Sequence, residues 1–134
     1  MLPAYDEYCR LIADLPERFK AIKSSTLVTY TIGPYIAEVK GNLVFERGYT
    51  LVVWELLDLS KGAIRSYSYE LNCEGERIWW YDPAEHPEDS TLGSSFPHHK
   101  HVHPDIKKNR IPASDISFSE PNLPFLIKEV AELK

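Results

Sequence analysis

The spacing of hydrophobic residues near the start of the chain is that of a helix. Hydrophobic side chains recur every three or four positions, which places them on one helix face. They are Leu2, Tyr5, Tyr8, Leu11, Ile12 and Leu15. Pro16 is expected to break or restart this helix, and Phe19 and Ile22 continue the same face beyond it. The pattern therefore predicts that residues 1–24 are helical, in two pieces.

From residue 26 the hydrophobic period becomes two, and β-branched and aromatic residues are frequent. Both features are typical of strands whose alternate side chains face a core. The candidate strands, separated by turns that contain glycine or proline, are residues 26–32, 35–40, 49–58, 63–72 and 76–81. Successive strands joined by short turns pair antiparallel, so residues 25–82 are predicted to form a meander of four or five strands.

The last third of the chain differs in composition and in hydrophobic pattern. Residues 83–121 are rich in proline and histidine and follow neither period, and an irregular segment of this length is usually functional or disordered. Residues 122–134 are predicted to form a helix that begins after Asn122, with Leu126, Ile127 and Val130 on one face. A terminal helix indicates that the irregular segment folds back onto the domain. The prediction is therefore one α+β domain of residues 1–134, with helices flanking an antiparallel sheet.

Composition excludes several classes of protein. The chain has 134 residues, of which 43% are hydrophobic, so wholesale disorder is not expected. It has no apolar run near the roughly 18 residues that a membrane span needs, and it lacks the usual glycine-rich nucleotide-binding motifs. Cys9 and Cys73 are far apart in sequence and are expected to be reduced thiols. Since no secretory signal is visible either, we expect a cytoplasmic protein without a membrane partner.

The chain has a net charge of −5 but contains one basic segment. Residues 1–95 carry 9 basic and 15 acidic side chains, whereas residues 96–110 carry 4 basic side chains and 1 acidic one. The five histidines fall between His86 and His103, overlapping this segment. Imidazole is the side chain that exchanges protons most readily near neutral pH. The candidate chemistry of the chain is therefore concentrated in this window.

Three interpretations of the histidine window remain open. If residues 97–105 are extended, His99, His101 and His103 face one side, while His98 and Lys100 face the other. Histidines on one strand face can bind a metal ion. They can instead act as acid and base on an anionic substrate whose phosphate is held by nearby cations. Those cations are Lys100, Lys107, Lys108 and Arg110. A solvated polar loop without chemistry is the third interpretation.

Aromatic and acidic residues of the predicted sheet give weaker signals. Tyr67 and Tyr69 are expected to share a strand face with Arg65, where they either line an RNA-binding cleft or pack in the sheet. Consecutive aromatic residues at 79–81, ending in Tyr81, place rings on both sheet faces, where they either fill the core or stack on a base. Carboxylates such as Glu55 are either catalytic bases or solvent-facing positions.

The order of short motifs resembles that of a known family. The motifs are Tyr67-Ser68-Tyr69-Glu70, Trp80-Tyr81-Asp82, His86-Pro87, Phe96-Pro97-His98-His99-Lys100-His101 and Asn122-Leu123-Pro124-Phe125. This run is similar to the TumE family of toxin–antitoxin proteins, over about residues 25–132. The matching residues at the centre of the pattern are Tyr81, Asp82, His86, Pro97, His98, His99, Lys100 and His101. The chain departs from the family pattern at two places. Ala84-Glu85 is inserted before His86, and His103 stands where the family pattern has a proline or a small residue.

The resemblance implies an RNA-cleaving toxin with a cognate antitoxin as partner, and by analogy a RelE- or barnase-like fold. In this interpretation the enzyme is a metal-independent endoribonuclease without a cofactor. His99 and His101 transfer protons, His98 is structural or orients the substrate, and Lys100 or Arg110 stabilises phosphate charge. The predicted substrate contacts are Lys107, Lys108, Arg110, Tyr67, Tyr69, Arg65, Tyr81 and His86.

Two alternatives use the same histidines. One is a zinc- or nickel-binding module without catalysis. The other is a metal-dependent nuclease or phosphoesterase in which Asp82 or Asp105 completes the ligand shell. In either nuclease, only the basic segment at residues 96–110 can contact RNA phosphates, because the rest of the chain is acidic. The stretch of RNA that is bound should therefore be short, and binding should be sensitive to salt.

Overall fold

The computed structural model describes residues 1–133. Two α-helices lie near the ends of the chain, α1 (Tyr5–Arg18) and α2 (Leu123–Ala131). Eight strands form one sheet between them: β1 (Ile22–Ser25), β2 (Val28–Thr31), β3 (Ile36–Phe45), β4 (Tyr49–Asp58), β5 (Ala63–Cys73), β6 (Glu76–Asp82), β7 (His99–His101) and β8 (Arg110–Pro112). Every pairing between neighbouring strands is antiparallel. The predicted α+β class is confirmed.

The sheet follows chain order except at its first edge. The strand order is β1-β3-β4-β5-β6-β7-β8, and β2 also pairs with β3. The turn between β1 and β2 passes very close to β3 at Gly41, which has φ +140°. A Cβ atom at Gly41 would lie 2.5 Å from the carbonyl oxygen of Thr26, so only glycine fits there.

Both helices pack on the same face of the sheet. Helix α1 buries Tyr8, Ile12 and Leu15, and α2 buries a stripe that includes Leu126 and Ile127. These side chains join one core cluster with alternate residues of the central strands, among them Leu51, Val53, Leu57, Tyr67, Tyr69 and Leu71. The opposite face of the sheet carries no α-helix within residues 1–133, and Val52 is 37% exposed there. Alternation along the strands therefore separates a face packed by both α-helices from one that is exposed at Val52 and buried at His99 and His101.

One core position is acidic. Glu55 of β4 is fully buried and accepts hydrogen bonds from the hydroxyl groups of Tyr8 (2.6 Å) and Tyr69 (2.5 Å). The prediction that Glu55 is a catalytic base or faces solvent is wrong. Glu55 shares the inward face of β4 with Val53 and Leu57, where neither solvent nor a substrate reaches it.

The N-terminal segment differs from the prediction. Helix α1 runs through Pro16 to Arg18, where the loss of one backbone hydrogen bond near the helix end is tolerated. The second helical piece is wrong, because a tight turn joins the Phe19 carbonyl to the Ile22 N–H and β1 begins at Ile22. Phe19 and Ile22 are hydrophobic because they pack against the core, at a spacing that imitates a helix.

The sheet is also larger than predicted. Strands β7 and β8 lie inside residues 83–121 and extend the sheet beyond β6. Each has three residues, too few for a period to be visible in the sequence. Helix α2 ends at Ala131, three residues before the predicted end, and Lys134 lies outside the described residues. Within residues 1–133 no helix is both long and apolar enough to cross a membrane.

Candidate active site

The pairing of β6 with β7 brings the candidate residues together. Trp80 lies opposite His101, and Asp82 lies opposite His99. Because alternate residues of a strand share a face, these four side chains lie on one side of the sheet. The residues between them point to the other side, where the Tyr81 hydroxyl donates to Glu129 of α2 at 2.8 Å. The cluster therefore lies on the sheet face away from α2.

Three side chains of this cluster converge on one point. Nε2 of His99 lies 3.1 Å from Oδ1 of Asp82, and Nε2 of His101 lies 3.2 Å from Oδ2 of the same carboxylate. The two Nε2 atoms are 3.1 Å apart. No other group of three or more histidine, cysteine or acidic side chains converges in this way within residues 1–133.

Backbone carbonyls determine which nitrogen of each ring carries a proton. Nδ1 of His99 is 3.0 Å from the carbonyl oxygen of Pro97, and Nδ1 of His101 is 2.9 Å from that of Ile106. A carbonyl oxygen only accepts hydrogen bonds, so both Nδ1 atoms are protonated donors. In the neutral rings the Nε2 atoms that face Asp82 are consequently unprotonated.

Asp82 is held in place by its own hydrogen bonds. Trp80 Nε1 donates to Oδ2 at 2.8 Å, and the backbone N–H of Ala84 donates to Oδ1 at 2.9 Å. Burial alone would raise the pKa of Asp82, but hydrogen bonds from His101 and His99 in their protonated form, and from Ala84 and Trp80, together hold it far below its usual range. The Trp80 ring also stacks on His101, with centroids 3.9 Å apart. Asp82 is therefore an ionised, fixed carboxylate.

The two histidines are nearly inaccessible to solvent. His99 is 0% exposed and His101 is 5% exposed, whereas the Asp82 side chain is 24% exposed. Burial works to lower the pKa of His99, and the hydrogen bonds to Asp82 and to the Pro97 carbonyl outweigh it, so that the pKa is raised. Asp82 is therefore the most exposed of the three side chains.

Two more predicted residues border the cluster. The His86 ring lies edge-on to the His99 ring, with centroids 5.0 Å apart. Nε2 of His86 is 3.4 Å from Nη1 of Arg110, whose Nη2 lies 3.6 Å from Asp89. The side chains of His86 and Arg110 are partly exposed, at 25% and 21%. His86 and Arg110 therefore place a partly exposed imidazole and a partly exposed cation next to the buried histidines.

His98 belongs to a neighbouring layer. Its ring stacks on Tyr67, and the Tyr67 hydroxyl lies 2.6 Å from its Nδ1. Burial raises the pKa of Tyr67, so the hydroxyl keeps its proton. Burial likewise lowers the pKa of His98, which favours a neutral ring. The structure therefore gives His98 a partner other than Asp82.

Lys100 and Tyr81 lie on the opposite sheet face from His99 and His101, as the alternation along an extended segment predicts. Nζ of Lys100 is 3.3 Å from Glu129, which also accepts from Tyr81. This ion pair connects β7 to α2 and points Lys100 away from Asp82. The structure does not bring Lys100 to the histidine cluster.

The tyrosines predicted to line an RNA cleft are in the core. Tyr67 and Tyr69 are 1% and 0% exposed, and the Tyr69 hydroxyl is occupied by Glu55. Arg65 does not share their face, because a bulge in the β4–β5 pairing leaves Ile64 buried and Arg65 exposed. These three residues are not positioned to form a common binding surface.

The remaining predicted residues lie on the loop between β7 and β8. Lys107 and Lys108 are exposed and directly follow Ile106, whose carbonyl holds His101. His103 is also exposed, and its Nε2 bonds the Arg77 carbonyl at 2.7 Å rather than joining the other histidines. Asp105, the alternative acidic ligand, is exposed and absent from the converging group.

Four residues that shape the site are missing from the catalytic and substrate-binding residues that the sequence predicts. Asp82 enters as a match to the family pattern and as an alternative metal ligand, and Trp80 enters as one of three aromatic residues that fill the core or stack on a base. Asp89 and Glu129 have no predicted role in the site. The position of Asp82 at the end of an aromatic strand is a usable signal, because strand ends commonly carry functional side chains. The roles of Asp89 and Glu129 depend on tertiary contacts with Arg110 and Lys100.

Comparison with known proteins adds one match. No curated protein sequence and no solved structure was found to match the chain. A family model described as Toxin TumE matches residues 10–134 and so includes every member of the histidine cluster. Because the match covers nearly the whole chain, the protein belongs to the TumE toxin family.

Proposed function

We propose that this chain is the toxin of a toxin–antitoxin system and that it cleaves RNA at the site formed by Asp82, His99 and His101. The observation that carries the proposal is the convergence of these three side chains beside Arg110 and His86. A fixed carboxylate, imidazoles and a cation are the groups that phosphodiester cleavage requires. Membership of a toxin family supplies the biological context.

The proposed reaction is an internal transesterification of RNA. The ribose 2′-oxygen gives its proton to a base and forms a bond to the adjacent phosphorus, while the bond from phosphorus to the 5′-oxygen breaks. An acid supplies the proton that the leaving 5′-oxygen needs. The products are a 2′,3′-cyclic phosphate and a 5′-hydroxyl, and no further reactant is consumed.

The roles we propose follow from position. His99 and His101, with Asp82, form the reaction centre. Arg110 and His86 contact the phosphate from the solvent edge, where both are partly exposed. Lys107 and Lys108, on the loop that holds His101, extend the basic surface along the RNA. Lys100 stabilises the site indirectly, through Glu129.

Growth arrest followed by mapping of RNA ends tests this function. The wild-type chain, a His99→Ala/His101→Ala variant and a His103→Ala control are expressed from an inducible promoter. We expect growth arrest from the wild type and the control only, with 2′,3′-cyclic phosphate ends in their RNA. Circular dichroism verifies that the double variant is folded. Intact RNA in arrested cells would refute RNA cleavage, and full activity of the folded double variant would refute the site.

The proposed partner is a cognate antitoxin. Its gene is expected beside that of the toxin, and co-expression of the neighbouring reading frame should restore growth. Co-purification of the two chains would establish a direct complex. If no adjacent reading frame relieves the arrest, the toxin–antitoxin assignment is wrong even where RNA cleavage is observed.

A further inference from the structure

We propose that Asp82, His99 and His101 bind one divalent transition-metal ion. The catalytic use of this ion rests on the proposed function, but its binding does not and is measured separately. This inference replaces the metal-independent mechanism expected from the sequence. It rests on the convergence of three side chains and on the outer hydrogen bonds that turn both Nε2 atoms towards Asp82.

The distances fit an ion at the centre of the group. His99 Nε2 is 3.1 Å from Oδ1 of Asp82, His101 Nε2 is 3.2 Å from Oδ2, and the two Nε2 atoms are 3.1 Å apart. Zinc bonds to imidazole nitrogen and carboxylate oxygen are about 2.0–2.2 Å long. Ligands at that distance and at tetrahedral or octahedral angles are themselves about 3.0–3.6 Å apart. The three side chains therefore lie close to the spacing that the ligands of one ion need.

A metal ion also resolves an electrostatic conflict. Both Nδ1 atoms donate to carbonyl oxygens, so the neutral rings present Nε2 lone pairs to each other and to a carboxylate. A divalent cation is attracted by all three ligand atoms at once.

The hydrogen bonds around the three side chains are those of a metal site. Histidine ligands usually donate their second ring N–H to a carbonyl or carboxylate, which fixes the ring and makes the free nitrogen a better ligand. His99 and His101 both do so, through Pro97 and Ile106. Asp82 is oriented in the same way by Trp80 and Ala84. Each of the three ligands thus has an outer partner.

The ligand types indicate which ion binds. Two imidazoles and one carboxylate suit Zn²⁺, Fe²⁺, Co²⁺ or Ni²⁺, whereas Mg²⁺ and Ca²⁺ prefer oxygen ligands. Three protein ligands leave at least one coordination position for water or substrate, which is the composition of a catalytic site. Such an ion supplies charge to the phosphoryl group and lowers the pKa of bound water. It also gives the buried rings of His99 and His101 a function that needs no contact with substrate.

Metal content and affinity test the proposal on the untagged chain. The protein is stripped with EDTA, titrated with Zn²⁺ and followed by calorimetry, and Co²⁺ loading is read from its visible absorption. We expect one ion per chain and a Co²⁺ spectrum that reports nitrogen and oxygen ligands. Asp82→Asn and His99→Ala should weaken Zn²⁺ binding by more than the roughly 10–100-fold that loss of an outer partner costs. His103→Ala, which removes an exposed histidine outside the cluster, should bind like the wild type.

The outcomes separate metal binding from RNA cleavage. No Zn²⁺ bound by folded wild type, or equal binding by Asp82→Asn, would overturn the metal site. Asp82→Asn is the decisive variant because it keeps the size of the side chain, and its thermal unfolding verifies the fold. Metal binding by a chain that leaves RNA intact would uphold this inference and refute the proposed function. RNA cleavage by chelated, metal-free protein would uphold the proposed function and refute a catalytic use of the ion, while the Zn²⁺ titration alone decides whether the ion binds.

Discussion

Asp82 and His99 lie directly opposite each other in the β6–β7 pairing, and Oδ1 of Asp82 is 3.1 Å from Nε2 of His99. This contact joins the end of a seven-residue strand to a three-residue strand and fixes the centre of the candidate site. The same carboxylate also reaches His101, so one side chain connects both histidines.

Asp82→Asn should therefore reduce RNA cleavage strongly while the chain stays folded. The amide retains an oxygen that can accept a hydrogen bond, but it removes the negative charge from between two imidazoles. We expect an initial rate at least about 10²-fold below that of the wild type. Asp105→Asn makes the same chemical change at an exposed carboxylate outside the cluster. Equal rates for the two variants would contradict a central role for Asp82.

Arg110→Gln should weaken RNA binding and lower its dependence on salt. Arg110 is the cation that borders the cluster, and each phosphate contact that is lost reduces the slope of log affinity against log salt by about one. Fluorescence anisotropy of labelled RNA at several salt concentrations measures this slope. Arg18→Gln is the matched control, because Arg18 is exposed at the end of α1. An unchanged slope for Arg110→Gln would show that this cation does not contact phosphate.

Lys100→Gln should have a much smaller effect on cleavage than Asp82→Asn. Lys100 pairs with Glu129 on the sheet face that carries α2, so its charge does not reach the cluster. We expect less than a tenfold loss of rate and a loss of up to about 1 kcal/mol in the free energy of unfolding. Urea denaturation and an RNA cleavage assay on the same preparation give the two values. A loss of rate as large as that of Asp82→Asn would restore the catalytic role that the sequence predicts for Lys100.

The sequence predicts the strands of the sheet well where the hydrophobic period extends over many residues. The strands near residues 49–58, 63–72 and 76–81 are predicted closely, and the alternation of His99, Lys100 and His101 separates the lysine from the histidines as observed. Strands β7 and β8 are too short to show a period. Their place in the sheet is decided by pairing with β6, which periodicity does not encode. The choice of Glu129 as the partner of Lys100 also depends on how α2 packs.

Glu55 also shows that periodicity does not predict tertiary contacts, although it lies in a strand that the sequence predicts correctly. Its place between Val53 and Leu57 assigns it to the core face of β4, because alternate residues share a face. What the period does not reveal is that Tyr8 of α1 and Tyr69 of β5 supply its hydrogen bonds. These partners allow a carboxyl group to remain in the core, and they depend on packing between three elements.

The burial of Glu55 predicts a pH dependence of stability. Burial raises the pKa of Glu55, although the hydrogen bonds from Tyr69 and Tyr8 oppose this effect. The folded state therefore holds the proton more tightly than the unfolded state. It follows that the contribution of Glu55 to stability is complete below the ordinary glutamate pKa and is lost as pH rises through the raised, folded-state pKa. Each pH unit by which the pKa is displaced corresponds to about 1.4 kcal/mol.

Glu55→Gln should remove this dependence, because the amide is neutral at every pH and can still bond both tyrosines. Relative to the wild type, the variant should gain stability as pH rises from about 4 to 8, and the gain should level off once Glu55 is ionised in the folded wild type. The measurement is the difference in free energy of unfolding between the two chains, from urea titrations at each pH. Taking the difference cancels the titration of all other groups. A difference that is constant across this range would show that Glu55 has the same pKa in the folded and unfolded chain.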